Sequence, residues 1–406
     1  MKVAIIGGGA AGFFAAISVK ENYPESAVII LEKSAKLLAK VKVSGGGRCN
    51  VTNSCSSINE LIKAYPRGGK KLKKPFAIFN NADTRAWFEG RGVPLKAEED
   101  GRVFPKSNNS QSIIDCLFAE VERLGVEVER GININSIKAT KEGFVLSKDQ
   151  IGDGRLEFNK IIIASGGSPK LTGFDWLADL GHIIEPPVPS LFTFNMPKDP
   201  ITKLMGVVAG NTQVSIQGTK LKSNGPLLIT HWGMSGPSIL KLSAFGARIL
   251  SQRNYEFNIQ VNWIGEANNE IVMNSLVDLA QTNAKKIVPN YRPYNLPEKL
   301  WLFLMDKAEI KAERRWGDLG KKALNKLVNL LTNDIYSVKG KTTFKEEFVT
   351  CGGVSLESID MTTMQSKVCP NLYFAGEVMD IDAITGGYNF QAAWTTGFIA
   401  GNLGGG

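Results

Sequence analysis

Short apolar runs that end on glycine or on an acid lie at both ends of the chain and predict buried strands. The four runs are Lys2–Ile6, Ala27–Leu31, Lys160–Ala164 and Asn371–Glu377. Between the second and third runs, Ser112–Leu124 has apolar residues at helical spacing, and the alternation over 132–158 predicts a small antiparallel meander. Strands interleaved with helices predict an α/β fold to which both ends of the chain contribute.

The pattern changes after the proline-rich segment Glu185–Pro189, which predicts a domain boundary. Alternating stretches over 191–262 predict antiparallel strands, and apolar residues at helical spacing over 264–335 predict helices. We therefore expect a discontinuous first domain and a second domain inserted into it. The predicted bounds are 1–190 with 346–406 for the first domain and 191–345 for the inserted one.

A glycine-rich turn joins the first strand to the first helix. Gly7, Gly9 and Gly12 form a G-x-G-x-x-G sequence, and Glu32 ends the second strand. The first glycine permits a tight turn, the second lets the backbone approach a pyrophosphate, and the third lets helix and strand pack closely. A carboxylate at the position of Glu32 can accept hydrogen bonds from a ribose. The pattern favours a dinucleotide site over a glycine-rich turn without a ligand.

Further glycine-rich segments predict loops that complete this site. Ser44–Asn53 contains three glycines followed by Arg48, whose charge suits a phosphate. Ser165–Ser168 follows the third strand, and the fourth strand ends on Gly376–Glu377. Gly386–Gly387 then opens a helix whose free amides suit an anionic ring edge. Both ends of the chain are thus expected to build one site.

Composition narrows the class of protein. The 406 residues are 43% hydrophobic and 21% charged, as in ordinary globular proteins, and no apolar run reaches the roughly 18–20 residues of a membrane span. The first strand begins at the first residues, so we expect no signal peptide and a cytoplasmic protein. The chain has five cysteines, none of them in a C-x-x-C pair, and two histidines. We therefore expect no structural disulfides and no metal site.

The net charge of +9 would suit an anionic cofactor, an anionic substrate or RNA. The densest group of cations is Arg67–Lys74, but a run of this kind is more often a solvated surface than a binding site. We therefore expect a small-molecule substrate and neither a membrane nor a nucleic acid as partner. The sequence leaves the oligomeric state open.

These motifs together resemble FAD-binding flavoproteins of the glutathione-reductase structural class. Within that class they resemble the BaiN/YhiN-like family, also called the aminoacetone oxidase family. The block Ser44–Asn50 is the most specific part of the resemblance, and His231–Pro237 is a further matching block. The resemblance implies an α/β fold, in which a Rossmann-like FAD-binding domain carries an inserted domain of β-barrel plus helices.

The resemblance also implies which residues bind FAD. Gly9–Gly12 would hold the pyrophosphate, Glu32 the adenosine ribose, and Ile134 the adenine through its backbone. Glu377 would bind the ribityl chain, and Gly387–Gln391 would lie under the flavin pyrimidine. The expected cofactor contacts are Gly7, Gly9, Ala10, Ala11, Gly12, Glu32, Lys33, Gly46, Gly47, Arg48, Cys49, Asn50, Ile134, Ala164, Ser165, Gly166, Gly376, Glu377, Gly387, Tyr388, Asn389, Phe390 and Gln391.

The activity implied is that of an FAD-dependent oxidoreductase fed by NADH or NADPH. The inserted segment lacks the second G-x-G-x-x-G of related reductases, and Cys49 and Cys55 do not form a C-x-x-x-x-C redox pair. A nicotinamide nucleotide would therefore bind transiently, and its hydride would pass through flavin N5 to a small organic substrate.

Two alternatives stay open at this point: a flavin amine oxidase that uses oxygen, and an RNA-binding, tRNA-modifying flavoprotein. His231 is a candidate for the substrate pocket, although it would serve equally as a structural residue that fixes a loop. No catalytic acid or base is identified from the sequence.

Overall fold

The protein is described by a computed structural model over residues 1–148, 155–266, 268–343 and 349–405. The chain divides into two units, each with its own hydrophobic core. Unit 1 comprises Met1–Ser190 and Phe344–Gly406, and unit 2 comprises Leu191–Thr343. The chain thus leaves unit 1 once and returns to it.

Unit 1 is organised on a seven-stranded sheet in which five neighbouring strands are parallel. Ile6 lies level with Leu31 on one side and Ile163 on the other, so the carboxyl ends of three strands meet at one edge. This sheet is the predicted Rossmann-like core, and the predicted fold class is confirmed. In spatial order its strands are Ile359–Asp360, Gln365–Ser366, Leu372–Phe374, Lys160–Ile163, Lys2–Ile6, Ala27–Glu32 and Glu127–Arg130.

Two helices from opposite ends of the chain pack against each other in unit 1. They are the amino-terminal helix, Ala10–Asn22, and the carboxyl-terminal helix, Tyr388–Gly401. The Ser18 hydroxyl in the first helix donates to the carbonyl of Phe398 in the second at 2.7 Å. Residues 11–19 are all buried, which is typical of a helix covered on every side.

The remaining elements of unit 1 surround this centre. The predicted meander is confirmed as a three-stranded antiparallel sheet. The small sheets are Thr52–Asn53, Arg102–Pro105 and Leu95–Ala97; Ile134–Ala139, Phe144–Lys148 and Arg155–Phe158; and Ile184–Ser190 with Val349–Val354. The other helices are Ala39–Gly47, Ile58–Lys63, Gly69–Ile78, Asn81–Glu89, Gln111–Arg123 and Asp175–Ala178.

Unit 2 contains one antiparallel sheet of seven strands. Its two edge strands, Asp334–Lys339 and Lys341–Thr342, are consecutive in the chain and separated only by Gly340. The sheet therefore curls until its edges meet, in the manner of a barrel. In spatial order its strands are Asp334–Lys339, Glu256–Asn262, Val208–Ile216, Lys222–Thr230, Gly233–Ser235, Thr193–Asn195 and Lys341–Thr342.

The helices of unit 2 depart from the sequence prediction in one place. The region 191–262, predicted as antiparallel strands, also contains the helix Pro237–Gln252. Proline at the first helical position favours a helix start, and Ile239, Leu242 and Leu250 are buried along one face. The helical spacing of these residues is hard to recognise in the sequence because alternating strands lie on either side of it. The other helices are Asn269–Thr282, Glu298–Lys307 and Lys321–Thr332, and no helix of the described residues has the length and apolar character needed to cross a membrane.

Candidate functional site

The loops predicted to bind the cofactor follow neighbouring parallel strands of unit 1. Gly7–Gly12 follows the strand Lys2–Ile6, and Ala164–Gly166 follows Lys160–Ile163 beside it. Gly376 and Glu377 follow Leu372–Phe374, the next strand along. Parallel α/β sheets bind ligands at the carboxyl edge of their strands. The fold therefore brings these predicted loops to the edge where a dinucleotide would bind.

The first glycine loop turns tightly against the neighbouring strand. Gly7 has φ +118°, and a Cβ at this position would collide with the carbonyl of Ala164. Gly9, by contrast, has no atom within 4 Å of the position where a Cβ would stand. The turn is thus packed tightly at its base, and open space is left above Gly9.

The amino-terminal helix begins beside this open space. Its N-cap residue is Gly9, which has no side chain to accept from the first amides, and its first turn contains no acid. Ala10 and Ala11, the first helical residues, add no polar group of their own. Free amides and the helix dipole together form a site for an anion such as a pyrophosphate.

Glu32 is held in place by backbone amides at the end of the second strand. One carboxylate oxygen accepts from the amide of Gly8 at 2.7 Å, and the other accepts from the amide of Ser34 at 2.8 Å. Lys33 is exposed beside it. The carbonyl of Glu32 accepts from the amide of Ile132, two residues before the buried Ile134. Glu32 and the segment of Ile134 are thus neighbours, as the predicted ribose and adenine contacts require.

The second glycine loop is open, but its arginine is already partnered. No atom lies within 4 Å of a Cβ position on Gly46 or Gly47. The guanidinium of Arg48 donates to Glu98 at 2.7 Å and lies 3.8 Å from the ring centroid of Phe104. These contacts occupy the charge predicted to pair with phosphate, so a direct phosphate contact of Arg48 stays a prediction that would require rearrangement.

Cys49 is a buried structural thiol rather than an exposed nucleophile. The side chain is fully buried, and this burial raises the pKa of the thiol to about 12. The neighbouring Asn50 side chain, in the amide orientation that satisfies its partners, accepts from the amide of Gly387 at 2.9 Å and donates to the carbonyl of Thr52 at 3.0 Å. The second glycine loop is therefore joined to the start of the carboxyl-terminal helix.

Glu377 has a partner that the sequence did not predict. Its carboxylate accepts from the amide of Thr350 at 2.8 Å and from the ammonium of Lys40 at 2.6 Å. The Glu377 side chain is 19% exposed and that of Lys40 is 50% exposed. Lys40 and Glu377 lie 337 positions apart in the chain, so no local pattern could have connected them.

The carboxyl-terminal helix begins at a second turn that requires glycine. Gly387 has φ +90°, and a Cβ there would collide with the carbonyl of Thr52. Gly387 is also the N-cap residue, so no side chain caps the amides of this helix. The structure thus provides two helix starts without side-chain caps, one from each end of the chain.

The side chains after Gly387 hold the backbone rather than project freely. Asn389 exchanges two hydrogen bonds with the backbone of Ala383, and the Tyr65 hydroxyl donates to the carbonyl of Tyr388. Phe390 stacks on Trp394 with ring centroids 5.7 Å apart. Gln391 is buried and bonded to two threonine hydroxyls, those of Thr52 and Thr395. A contact with flavin would therefore come mainly from the backbone here.

These features fit FAD. Open space above Gly9 and the uncapped start of the amino-terminal helix suit a pyrophosphate. Glu32 suits a ribose, and the segment of Glu377 is tied to the carboxyl-terminal helix, because the Gly376 amide donates to the Thr396 hydroxyl at 2.9 Å. The individual cofactor contacts remain predictions.

Comparison with known proteins agrees with this geometry. The model of the family described as HI0933-like protein Rossmann domain matches residues 1–403. The chain belongs to the HI0933-like family. The predicted resemblance to BaiN/YhiN-like flavoproteins and the predicted class of FAD-dependent oxidoreductase are thereby confirmed, whereas the substrate and the hydride donor stay predictions.

Two curated relatives extend along nearly the whole chain of this HI0933-like protein. It is 26% identical over 408 residues to the 3-dehydro-bile acid delta(4,6)-reductase of Clostridium scindens, with 98% of each chain covered. It is 29% identical over 409 residues to the ribosomal RNA dihydrouridine synthase of Escherichia coli, with 97% of this chain and 95% of the relative covered.

Solved structures show the same fold at lower identity. The 3-ketosteroid-delta4-(5alpha)-dehydrogenase from Rhodococcus jostii has a TM-score of 0.53 at 13% identity, covering 99% of this chain and 96% of the other. A flavocytochrome c3 fumarate reductase has a TM-score of 0.51 at 16% identity, covering 99% of this chain and 77% of the other. At such identities the likeness establishes the fold alone.

His231 lies in unit 2, after the strand Lys222–Thr230. Its ring is exposed, and its centroid lies 3.5 Å from that of Trp232. A role in the substrate pocket stays a prediction for this residue.

The buried charges of unit 1 do not belong to the predicted cofactor contacts. Asp382 is fully buried and accepts from the guanidinium of Arg67 and from the Ser190 hydroxyl. Burial raises the pKa of Asp382, while Arg67 opposes this shift. Because Ser190 is the last residue before unit 2, this cluster fixes the point where the chain leaves unit 1.

Proposed function

We propose that this protein is an FAD-dependent reductase that uses NADH or NADPH to saturate a carbon–carbon double bond conjugated with a carbonyl group. The observation that supports this most is the chemistry common to the two relatives that match nearly end to end. A 3-dehydro-bile acid with double bonds at positions 4 and 6 is a conjugated ketone. Dihydrouridine is uridine whose ring double bond, conjugated with a carbonyl, has been saturated.

The proposed reaction balances without a further reactant. One hydride from the nicotinamide goes to the carbon at the far end of the conjugated double bond, and one proton, taken from solvent water, goes to the carbon next to the carbonyl. NADH or NADPH is oxidised, and the double bond is reduced to a single bond. Bound FAD would supply the two-electron relay between the two reactants.

The cysteines of the chain support electron transfer from the nicotinamide to the flavin without a dithiol between them. None of the five cysteines, all of which lie among the described residues, forms a disulfide, and burial raises the pKa of the Cys49 thiol to about 12. A thiolate relay needs an accessible thiol of low pKa, which Cys49 does not provide. Electrons from the nicotinamide would therefore reach the flavin without a disulfide between them.

The chain's own residues would bind and orient the cofactor. Uncapped amides at Gly9 and Gly387 attract anionic groups, and Glu32 is already fixed by two amides to meet a ribose. Glu377 is held by the amide of Thr350 and by the ammonium of Lys40. Such fixed donors and acceptors need little reorganisation when the cofactor binds, which favours both affinity and precise positioning.

The proposal is tested by following flavin absorbance near about 450 nm under nitrogen. NADPH and then NADH are added to the purified protein, followed by a steroid 4-en-3-one in one arm and deproteinised bacterial ribosomal RNA in another. We expect one nucleotide to bleach the band and one of the conjugated carbonyl compounds to restore it.

A separate arm tests the amine oxidase alternative. Aminoacetone is added under nitrogen in place of the nicotinamide nucleotide, and oxygen is admitted afterwards. Bleaching by the amine together with no bleaching by NADH or NADPH would overturn the reductase proposal. Bleaching by NADPH without restoration by either conjugated compound would overturn the proposed substrate chemistry.

A further inference from the structure

The two units of this protein differ in net charge. Residues 191–343 contain 20 lysines and arginines against 11 aspartates and glutamates, whereas the rest of the chain contains 28 of each. The whole net charge of +9 therefore lies in unit 2. Such an asymmetry is the usual electrostatic signature of a surface that meets a polyanion.

Part of this charge is gathered by backbone pairing. Two segments of unit 2, distant in sequence, are joined by an antiparallel bridge between Ile287 and Arg315. The Trp316 amide donates to the Lys286 carbonyl at 3.0 Å, and the Val288 amide donates to the Arg314 carbonyl at 2.8 Å. The bridge places two consecutive cations from each segment side by side. We call these four residues the basic lobe: Lys285, Lys286, Arg314 and Arg315.

The basic lobe stands on a rigid base. The buried rings of Trp301 and Trp316 stack with centroids 6.1 Å apart, and the Trp301 indole donates to the carbonyl of Val288 at 3.1 Å. The ammonium of Lys286 lies 4.3 Å from the ring centroid of Tyr291. A cation held against a ring, as Lys286 is, loses less side-chain freedom when it binds a phosphate.

The four side chains are exposed and available to a partner. Among the described residues, none of the four forms a salt bridge. The Arg314 guanidinium donates to a backbone carbonyl, that of Asp318. The basic lobe therefore presents cations that carboxylates do not neutralise by direct contact.

The lysine-rich helix Gly69–Ile78 in unit 1 provides a contrast. Lys71 pairs with Glu357 at 2.9 Å. Hydrogen bonds from Thr362 lower the pKa of Asp360, with smaller contributions from the charges of Lys367 and Lys74. Unit 1 as a whole has no net charge. At least one lysine of this helix is thus neutralised by an acid of its own unit.

We propose that the basic lobe of unit 2 binds the phosphate backbone of RNA. The proposal rests on the proposed function, because the uracil ring of RNA contains a double bond conjugated with a carbonyl. It revises the expectation of a small-molecule substrate: RNA held by unit 2 would be the carrier of the reducible ring. Lysine and arginine side chains that neutralise phosphates release counterions, so the affinity should fall steeply with salt.

The test compares two variants that lose the same charge from different units. In the lobe variant, Lys285, Lys286, Arg314 and Arg315 are all replaced by glutamine. In the control variant, Lys70, Lys71, Lys73 and Lys74 are all replaced by glutamine. Binding of deproteinised bacterial ribosomal RNA is measured between about 50 and 200 mM salt, with duplex DNA of similar length as competitor.

We expect the lobe variant to bind RNA at least tenfold more weakly than the wild type at low salt. Each lost phosphate contact lowers the slope of log affinity against log salt by about 0.7–0.9, so the slope should fall by about 3. The control variant should bind within about twofold of the wild type. Equal losses in both variants, no loss in either, or equal competition by DNA would overturn the proposal.

Two further readouts separate this result from other failures. Flavin content and thermal unfolding show whether the lobe variant is folded, and a single Arg315→Gln variant should show about a quarter of the change in salt slope if folding limits the quadruple one. Bleaching of the flavin by NADPH reports the proposed function independently, since it needs no RNA. Salt-dependent binding without any such bleaching would leave the RNA surface standing and remove the reductase.

Discussion

The two units of this protein differ in which features would bind a ligand: backbone geometry in unit 1 and side-chain charge in unit 2. Unit 1 balances its charges and places glycine-headed helix starts, backbone amides and two held carboxylates at the edge of a parallel sheet. Unit 2 carries all the net charge on an antiparallel sheet and its helices. Cofactor binding thus depends mainly on backbone geometry, whereas the proposed binding of RNA depends on side-chain charge.

Helix starts without a side-chain cap or a first-turn acid occur in both units, and in unit 2 they include Pro237–Gln252 and Lys321–Thr332. The amino-terminal and carboxyl-terminal helices of unit 1 have no side-chain cap and no acid in the first turn. In unit 2, the helix Asn269–Thr282 is capped by the Asn268 side chain and has Glu270 in its first turn. An acid and a capping side chain satisfy amides that would otherwise attract an anion. The uncapped starts of unit 1 are therefore available to a cofactor.

The largest effect should come from filling the space above Gly9. In Gly9→Asp, a carboxylate can cap the amino-terminal helix and so preserve the fold, but it occupies the position expected for the pyrophosphate and repels it. We expect FAD affinity to fall at least about 100-fold, measured by equilibrium titration, with thermal stability of the apoprotein unchanged or higher.

Gly210→Asp in unit 2 is the matched control, because Gly210 also has no atom within 4 Å of a Cβ position. This variant should bind FAD as the wild type does. Equal FAD binding by Gly9→Asp and Gly210→Asp would remove the distinction between the two units.

A smaller loss is expected from Glu32→Gln. The variant keeps the size of the side chain but removes the charge that accepts from Gly8 and Ser34 and would accept from a ribose. Hydrogen bonds to charged groups contribute about 1.5–3 kcal/mol, so FAD affinity should fall about 10- to 100-fold. Glu127→Gln, at an exposed position on the adjacent strand, should leave the affinity unchanged; a similar loss there would refute a specific role for Glu32.

The pair of Lys40 and Glu377 should contribute little to stability. Half of the lysine side chain is exposed, and exposed ion pairs contribute about 0–1 kcal/mol. In a double-mutant cycle with Lys40→Met and Glu377→Gln, we expect a coupling energy below about 1 kcal/mol by urea unfolding of the apoprotein. A much larger coupling would mean that this pair stabilises the fold of unit 1 rather than mainly orienting Glu377.

The smallest effect concerns pH and His182. This histidine is buried, with its ring bonded to the Leu177 carbonyl and the Ser366 hydroxyl, and burial lowers its pKa below the ordinary value of 6.5. Below that pH the unfolded state binds more protons, so stability should fall as pH drops through about 6.5 towards the folded pKa. Comparison of urea midpoints should show a weaker fall for His182→Gln; identical pH profiles would exclude His182 as the cause.

The sequence revealed the sheet and its loops because their signals are local. Gly7–Gly12, Glu32 and the segment around Gly387 are short motifs whose spacing follows from the strand, turn and helix that contain them. The helix Pro237–Gln252 escaped prediction because it lies among strands of alternating pattern.

Other parts of the site depend on pairings that sequence spacing does not reveal. Lys40 reaches Glu377, and Gln391 reaches Thr52, across more than 330 residues. Arg48 is predicted to face a phosphate, yet its guanidinium donates to Glu98, which lies 50 positions away in the chain. The basic lobe likewise exists only because a bridge joins two segments. In the run Arg67–Lys74, which is conspicuous in the sequence, Arg67 and Lys71 pair with acids.

One experiment tests whether unit 1 binds the cofactor while unit 2 binds RNA. It follows the flavin band at about 450 nm under nitrogen, first through reduction by the nicotinamide nucleotide and then through reoxidation by the substrate. NADPH or NADH reduces the wild type and the lobe variant, and deproteinised ribosomal RNA is then added to each. We expect the band to bleach at rates within about twofold in the two proteins and to recover at least tenfold more slowly in the lobe variant. Equal recovery in both proteins, or loss of bleaching in the lobe variant while it retains its flavin, would contradict this expectation.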